Sequence, residues 1–166
     1  MKKKAVLAVV LVLLFSTVAF GRASVAGHQL SSAGTYLGAK GLGLGIIMGT
    51  DSGISVKNWV SRENAVQFDA GWDFTTGSIG IGAAYLMHNF DIIKVDNNLV
   101  PLYFGIKGWV KIQNDPMMGI QVPLGIDWIF RNAPIDIFLQ IEPGIVIYPS
   151  MGNGSNGGIG VRYWFK

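Results

Sequence analysis

Apolar and polar residues alternate with a period of two along most of the chain after residue 35. In residues 117–130, Ile120, Val122, Leu124, Ile126, Trp128 and Phe130 take one parity, and Gly119, Gln121, Pro123, Gly125, Asp127 and Ile129 take the other. Residues 134–148 repeat this, with Ile135, Ile137, Leu139, Ile141 and Ile145 set against Asp136, Phe138, Gln140, Glu142 and Gly144. Residues 65–74 set Val66, Phe68, Ala70, Trp72 and Phe74 against Gln67, Asp69, Gly71 and Asp73. Successive side chains of a strand point to opposite faces, so each segment reads as a strand with one apolar face and one face shared by charge and glycine. Eight such segments are predicted: 36–48, 53–60, 65–74, 78–90, 99–112, 117–130, 134–148 and 158–165. Most of the links between them are short and carry turn residues, such as Gly49-Thr50-Asp51-Ser52, Thr75-Thr76-Gly77 and Asn114-Asp115-Pro116. Residues 91–98 and 149–156 form the longer links.

Eight strands joined in this way predict an antiparallel up-and-down meander. The glycines decide which face points out. A water-soluble barrel would bury the apolar face and scatter glycine over its surface, which water does not require. Inside a narrow closed barrel, small residues make room for the charged ones. The expected fold is therefore all-β: a closed eight-stranded antiparallel up-and-down transmembrane β-barrel, with its apolar face in lipid. Lipid offers no hydrogen bonds to an open sheet edge, so such a sheet has to close on itself. An eight-stranded interior is filled by side chains, and a water-filled pore is not expected.

The parity of the strands places Lys57, Lys107, Lys111 and Arg162 in the lumen with Asp69, Asp73, Asp127, Asp136 and Glu142. An unpaired charge there would be costly, so these nine residues are expected to form an ion-paired plug. Trp and Tyr gather where a membrane meets water. Trp72 and Phe74 fall at one rim of the predicted barrel, and Trp128, Phe130, Tyr163 and Phe165 at the other, as two aromatic girdles require.

The amino-terminal residues follow a different pattern. Lys2, Lys3 and Lys4 precede an unbroken apolar stretch from Ala5 to Phe15, and Ala19-Phe20-Gly21 supplies small residues at the −3 and −1 positions of a cleavage site. This reads as a secretory signal peptide over residues 1–21, the stretch being shorter than the roughly 20 residues of a spanning helix. A short periplasmic leader is then expected over 22–35 and the outer-membrane barrel domain over 36–166. Cleavage changes the charge balance. The whole chain has a formal net charge of +3, but residues 1–21 hold three lysines and no acid, so the mature chain has ten basic and ten acidic residues. The calculated pI of about 9.2 thus comes largely from the discarded segment, and nucleic acid is not an expected partner. The chain has no cysteine, which excludes thiol catalysis and thiolate metal sites.

Residues 41–72 resemble a family of small spirochaete outer-membrane barrels, as do Tyr85-Leu86-Met87-His88-Asn89-Phe90, Val122-Pro123-Leu124-Gly125, Pro134-Ile135-Asp136-Ile137-Phe138, Glu142-Pro143-Gly144 and the terminal Gly157-Gly158-Ile159-Gly160-Val161-Arg162-Tyr163-Trp164-Phe165. The architecture is similar to the eight-stranded transmembrane domain of the OmpA and OmpX type. That resemblance implies insertion by the outer-membrane barrel-assembly machinery, which reads the last strand, here through Gly160, Tyr163 and Phe165. Neither resemblance implies an enzymatic activity. Two features depart from the wider pattern: Lys166 follows the aromatic that is normally last, and the links expected to face outward are short.

Enzyme signatures are weak. Gly41-Leu42-Gly43-Leu44-Gly45 has no third glycine at dinucleotide spacing, and a strand rather than a helix continues from it. The only histidines are His28, in the leader, and His88, predicted to point inward near the periplasmic end, which is a poor basis for hydrolysis or metal binding. The expectation is a non-enzymatic, surface-exposed membrane protein with no cofactor. Its role would be structural or one of surface interaction, such as an adhesin or host-factor binder acting through extracellular loops. Its partners would be outer-membrane lipid, the assembly machinery and an extracellular or host protein. A narrow outer-membrane channel is the alternative, then a lipid-modifying enzyme, with a soluble ligand carrier as the outsider. The link 149–156 has the most reach, and its Met151-Gly152-Asn153-Gly154-Ser155-Asn156 reads as a mobile loop. Cleavage after Gly21 should leave Arg22 as the first residue of the exported protein; terminal sequencing of the membrane fraction checks this, and an intact amino terminus would contradict it.

Overall fold

The structure, a computed structural model, describes residues 41–74, 77–95 and 98–165. The expected signal peptide, the leader with His28, residues 36–40 of the first predicted strand and Lys166 lie outside the described residues. The strands are β1 (Leu42–Gly49), β2 (Ser52–Trp59), β3 (Asn64–Asp73), β4 (Ser78–Asn89), β5 (Lys94–Val95), β6 (Asn98–Leu99) and β7 (Leu102–Ile112). They continue as β8 (Met117–Gln121), β9 (Leu124–Phe130), β10 (Ile135–Glu142), β11 (Gly144–Tyr148), β12 (Gly152–Asn153) and β13 (Asn156–Phe165). All pairings are antiparallel, and β13 pairs with both β10 and β1, which closes the sheet. The described residues therefore form a closed eight-stranded antiparallel barrel, in which β8 with β9 and β10 with β11 are each one stave.

The two broken staves depart from the expected continuous strands, and proline is the cause. Pro123 and Pro143 have no N–H to give to the ladder, so pairing there persists through their carbonyls alone. Gly105 N–H donates to Pro123 O at 3.0 Å, and Val122 N–H to Pro143 O at 2.8 Å. Register survives the interruption, because β7 meets β8 through Lys107 and Gln121 and meets β9 through Leu102 and Ile126, on one continuous count. The fifth predicted strand also splits at Val100-Pro101, and the 91–98 link folds into the β5–β6 hairpin, whose β6 extends the sheet beside β9. The other strand ends move by one or two residues.

Pairing is staggered, as a closed barrel requires. A walk perpendicular to the strands from Phe165 passes Leu42, Asn58, Val66 and Tyr85 to Ile106. Continued across Val122 and Pro143, it regains the last stave beside Ser155 rather than at Phe165. That shear is what tilts the strands of a small barrel. We refer to the end that carries Leu42, Trp59 and Phe165 as the lower end, and to the end that carries Gly49, Ser78 and Asn156 as the upper end.

The polarity of a water-soluble barrel is inverted. Ile46, Ile106 and Ile141 are 53%, 60% and 57% exposed on the outer face, while Lys57, Asp127 and Arg162 are 0% exposed inside. Glycine makes this filling possible. A Cβ on Gly160 would collide with the ring of Phe138 and with Ile46 O, and one on Gly125 with the Tyr103 ring. Gly160→Val should therefore destabilise the refolded barrel by about 1–3 kcal/mol in urea unfolding. Gly108→Ala, on an outward position with nothing within 4 Å of the new methyl, should change it by less than about 0.5 kcal/mol.

Candidate functional site

The lumen is the site where the chain's chemistry converges, and strand parity positions each of its side chains. Ser55, Lys57 and Trp59 point inward from β2, Asp127 and Ile129 from β9, Asp136, Phe138, Gln140 and Glu142 from β10, and Gly160, Arg162 and Trp164 from β13. The inner surface is built in levels.

At the lower end, Trp59, His88, Phe90 and Trp164 form an aromatic floor with Ile129 and Leu99. Trp59 lies 4.4 Å from His88 and 6.1 Å from Trp164, ring centre to ring centre. His88 Nδ1 lies 3.0 Å from Glu63 O, an acceptor that sets the proton on that nitrogen. Its Nε2 lies 3.4 Å from Asp127 Oδ2, so the ring is packed between aromatics and aimed at a carboxylate that is already occupied.

The next level is a fully buried quartet. Asp127 accepts from Lys57 Nζ at 2.5 Å and from Arg162 Nη2 at 2.9 Å. Arg162 Nε donates to Asp136 Oδ1 at 3.1 Å, its Nη1 to Gln67 Oε1 at 2.9 Å, and its guanidinium lies 3.8 Å from the Phe138 ring centre. Trp164 Nε1 donates to Asp136 Oδ2 at 2.9 Å, which ties the quartet to the floor. Two positive and two negative charges close this level with no net charge.

Above it, Tyr103 Oη donates to Gln140 Oε1 at 2.7 Å, and Gln140 Nε2 to Glu142 Oε1 at 2.6 Å. Lys107 Nζ then bridges Glu142 at 2.8 Å and Asp69 at 3.0 Å. Near the upper mouth Lys111 Nζ bridges Asp73 at 2.9 Å and Asp51 at 3.0 Å. A cavity of about 50 Å³ remains between these levels, room for a few waters at most.

All nine residues expected in the lumen network thus sit in ion pairs inside the barrel. Sequence parity missed Asp51, because it lies in a turn where alternation carries no information; an acidic residue between two strand ends was its only signal. The aromatic floor was missed too, although Trp59 shares parity with Lys57 and Trp164 with Arg162. Of the expected girdle residues, Trp72 and Phe74 are exposed at the upper end, and Trp128, Tyr163 and Phe165 at the lower end, where Phe130 is half-buried. The link 149–156 is not the free loop expected. Its β12 pairs with β11, Gly154 N–H donates to Gly144 O at 3.0 Å, and Gln121 Nε2 donates to Gly154 O. Met151 remains exposed at its tip.

Comparison with protein-family models and with curated proteins gives no match. The lumen gathers the nine expected charged residues together with Asp51. Its acids and bases are held against one another, and among the described residues no three acidic or imidazole groups converge as a metal centre. Asp127→Asn takes from Lys57 its carboxylate partner and leaves Arg162 with Asp136, and should cost about 3–5 kcal/mol of unfolding free energy. Asp51→Asn, at the partly solvated mouth, should cost about 1 kcal/mol or less. Urea titration of both refolded variants checks the contrast, and equal losses would show that depth in the lumen does not matter.

Proposed function

We propose that the chain is a small integral protein of a bacterial outer membrane, exported through the periplasm, with a plugged barrel whose role is structural or one of surface interaction. In this reading it belongs with the small spirochaete outer-membrane barrels and shares the architecture of the OmpA and OmpX type. The observation that carries it is the inverted polarity: a belt of Ile, Leu, Val, Phe and Trp outside and a charge network at 0% exposure within. Such a surface suits hydrocarbon, and a closed sheet leaves no backbone edge for lipid to leave unsatisfied. The lower end, with Gly160 inside and Tyr163 and Phe165 exposed, is the periplasmic end that the assembly machinery reads. The upper end then faces outward. There Phe74 at 81% and Met151 at 84% exposed are the most prominent apolar contacts for an extracellular or host protein.

The quartet around Asp127 and the aromatic floor support plugging, since a conducting path would have to displace both. The role of His88 in this reading is packing rather than catalysis, and no cofactor is needed. Refolded protein should migrate differently in detergent gels before and after boiling, fractionate with outer membranes, and give no conductance steps in planar bilayers. Recovery in the periplasmic fraction would overturn the membrane reading, whereas reproducible conductance from pure protein would replace the plug with a narrow channel.

A further inference from the structure

We propose that a cleft at the upper mouth binds a neutral sugar ring. The cleft, of about 240 Å³, lies among the upper parts of β7, β8, β11, β12 and β13. Trp109, Met117 and Val146 supply its apolar wall, and the amide residues Gln113, Asn153 and Asn156 stand around them. Glycine seats the indole. A Cβ on Gly119 would lie 2.9 Å from Trp109 Cζ2, and one on Gly154 3.0 Å from it, so the ring edge fits only between those two backbones. The cleft adjoins the smaller lumen cavity, with which it shares Trp109, Lys111 and Asn156.

The hydrogen-bonding capacity of this wall is only half used among the described residues. Trp109 Nε1 is a buried donor without an acceptor. Gln113 Nε2 donates to Asp115 O at 2.9 Å and Asn156 Nδ2 to Asp51 Oδ2 at 2.8 Å, which leaves both amide oxygens as acceptors. Asn153 Oδ1 accepts from Ser155 N–H at 3.0 Å, which leaves its amide nitrogen as a donor. A ligand has to accept at some points and donate at others, and a hydroxyl group does both. Charge does not select it. Lys111, the one charged residue lining the cleft, is already bridged to Asp51 and Asp73. An aromatic and aliphatic wall with a few polar groups is the common make-up of a small-molecule site. A sugar ring matches it, with C–H groups on its faces and hydroxyls at its edge. An extended peptide matches less well, because the amides come from separate elements and not from one strand edge.

The proposal gives the surface-interaction reading a ligand class, but it depends only on the cleft being open to solvent, so it stands or fails apart from the membrane reading. Protein refolded in an amine-oxide detergent, which carries no sugar, is titrated with glucose, galactose and N-acetylglucosamine while the indole N–H signals of its five tryptophans are followed by NMR. Trp109→Phe identifies the Trp109 signal by its loss. At least one of the sugars should move that signal saturably and leave those of Trp59, Trp128 and Trp164, at the lower end, in place. Gln113→Ala should weaken binding by about 2- to 10-fold, the worth of one hydrogen bond. No response of Trp109 to any of the three sugars would overturn the proposal, as would equal shifts at the lower end or an unchanged affinity in Gln113→Ala. Glucuronate and glucosamine should bind no more tightly than glucose; tighter binding of either would overturn the neutral class. Monogalactosyl diacylglycerol in nanodiscs separates the sources: a Trp109 shift there supports a glycolipid headgroup, and a shift with free sugar alone supports a soluble glycan.

Discussion

Asp127 accepts from Lys57 and Arg162 at once, and the inside of the barrel is organised around that shared carboxylate. Both cations are fully buried, and Arg162 reaches Asp136 and Gln67 only when its guanidinium is held in this plane. The requirement propagates outward through the strands. Asp136 and Arg162 are direct partners across β10 and β13, as Lys57 and Gln67 are across β2 and β3. A slip of one residue in either pairing would turn the charged side chains to the apolar exterior, so the network specifies register as well as filling space. An apolar core of equal volume would lack this penalty for misregister.

Alternation in the sequence exposed one side of this arrangement and concealed the other. Parity assigns Lys57, Asp127 and Arg162 to a common interior, because a period of two is a local property. It says nothing about which strands face one another across the lumen, which follows from shear accumulated around the whole barrel. Hence the inward residues were legible while their pairing was not. Turn residues have no parity, which hid Asp51. The pairing of β12 with β11 was hidden for a related reason: Gly-Asn-Gly-Ser reads as flexible by composition, yet a buried amide on another stave, Gln121, captures its backbone. Pro123 and Pro143 had a visible signal in the lost N–H, but only the structure shows that they sit on neighbouring staves and interrupt the wall together.

The two ends of the lumen solve different problems. The lower end is closed by aromatic rings, and its charges cancel within one level. The upper end is partly open to solvent, with Lys111 and Asp51 side chains 16% and 20% exposed. The aromatic floor closes only one of the two mouths. Set at the lower end, it lets Trp164 serve two roles, closing the mouth with its ring and donating to Asp136 with its Nε1. The terminal strand therefore carries on one face Tyr163 and Phe165, an edge-on pair 5.2 Å apart, and on the other the residues that seal the barrel. If that strand is the last to pair, closing the sheet and closing the lumen become one event. Asp127 and Asp136 would then gain Arg162, their partner on that strand, at the moment the wall loses its last open edge.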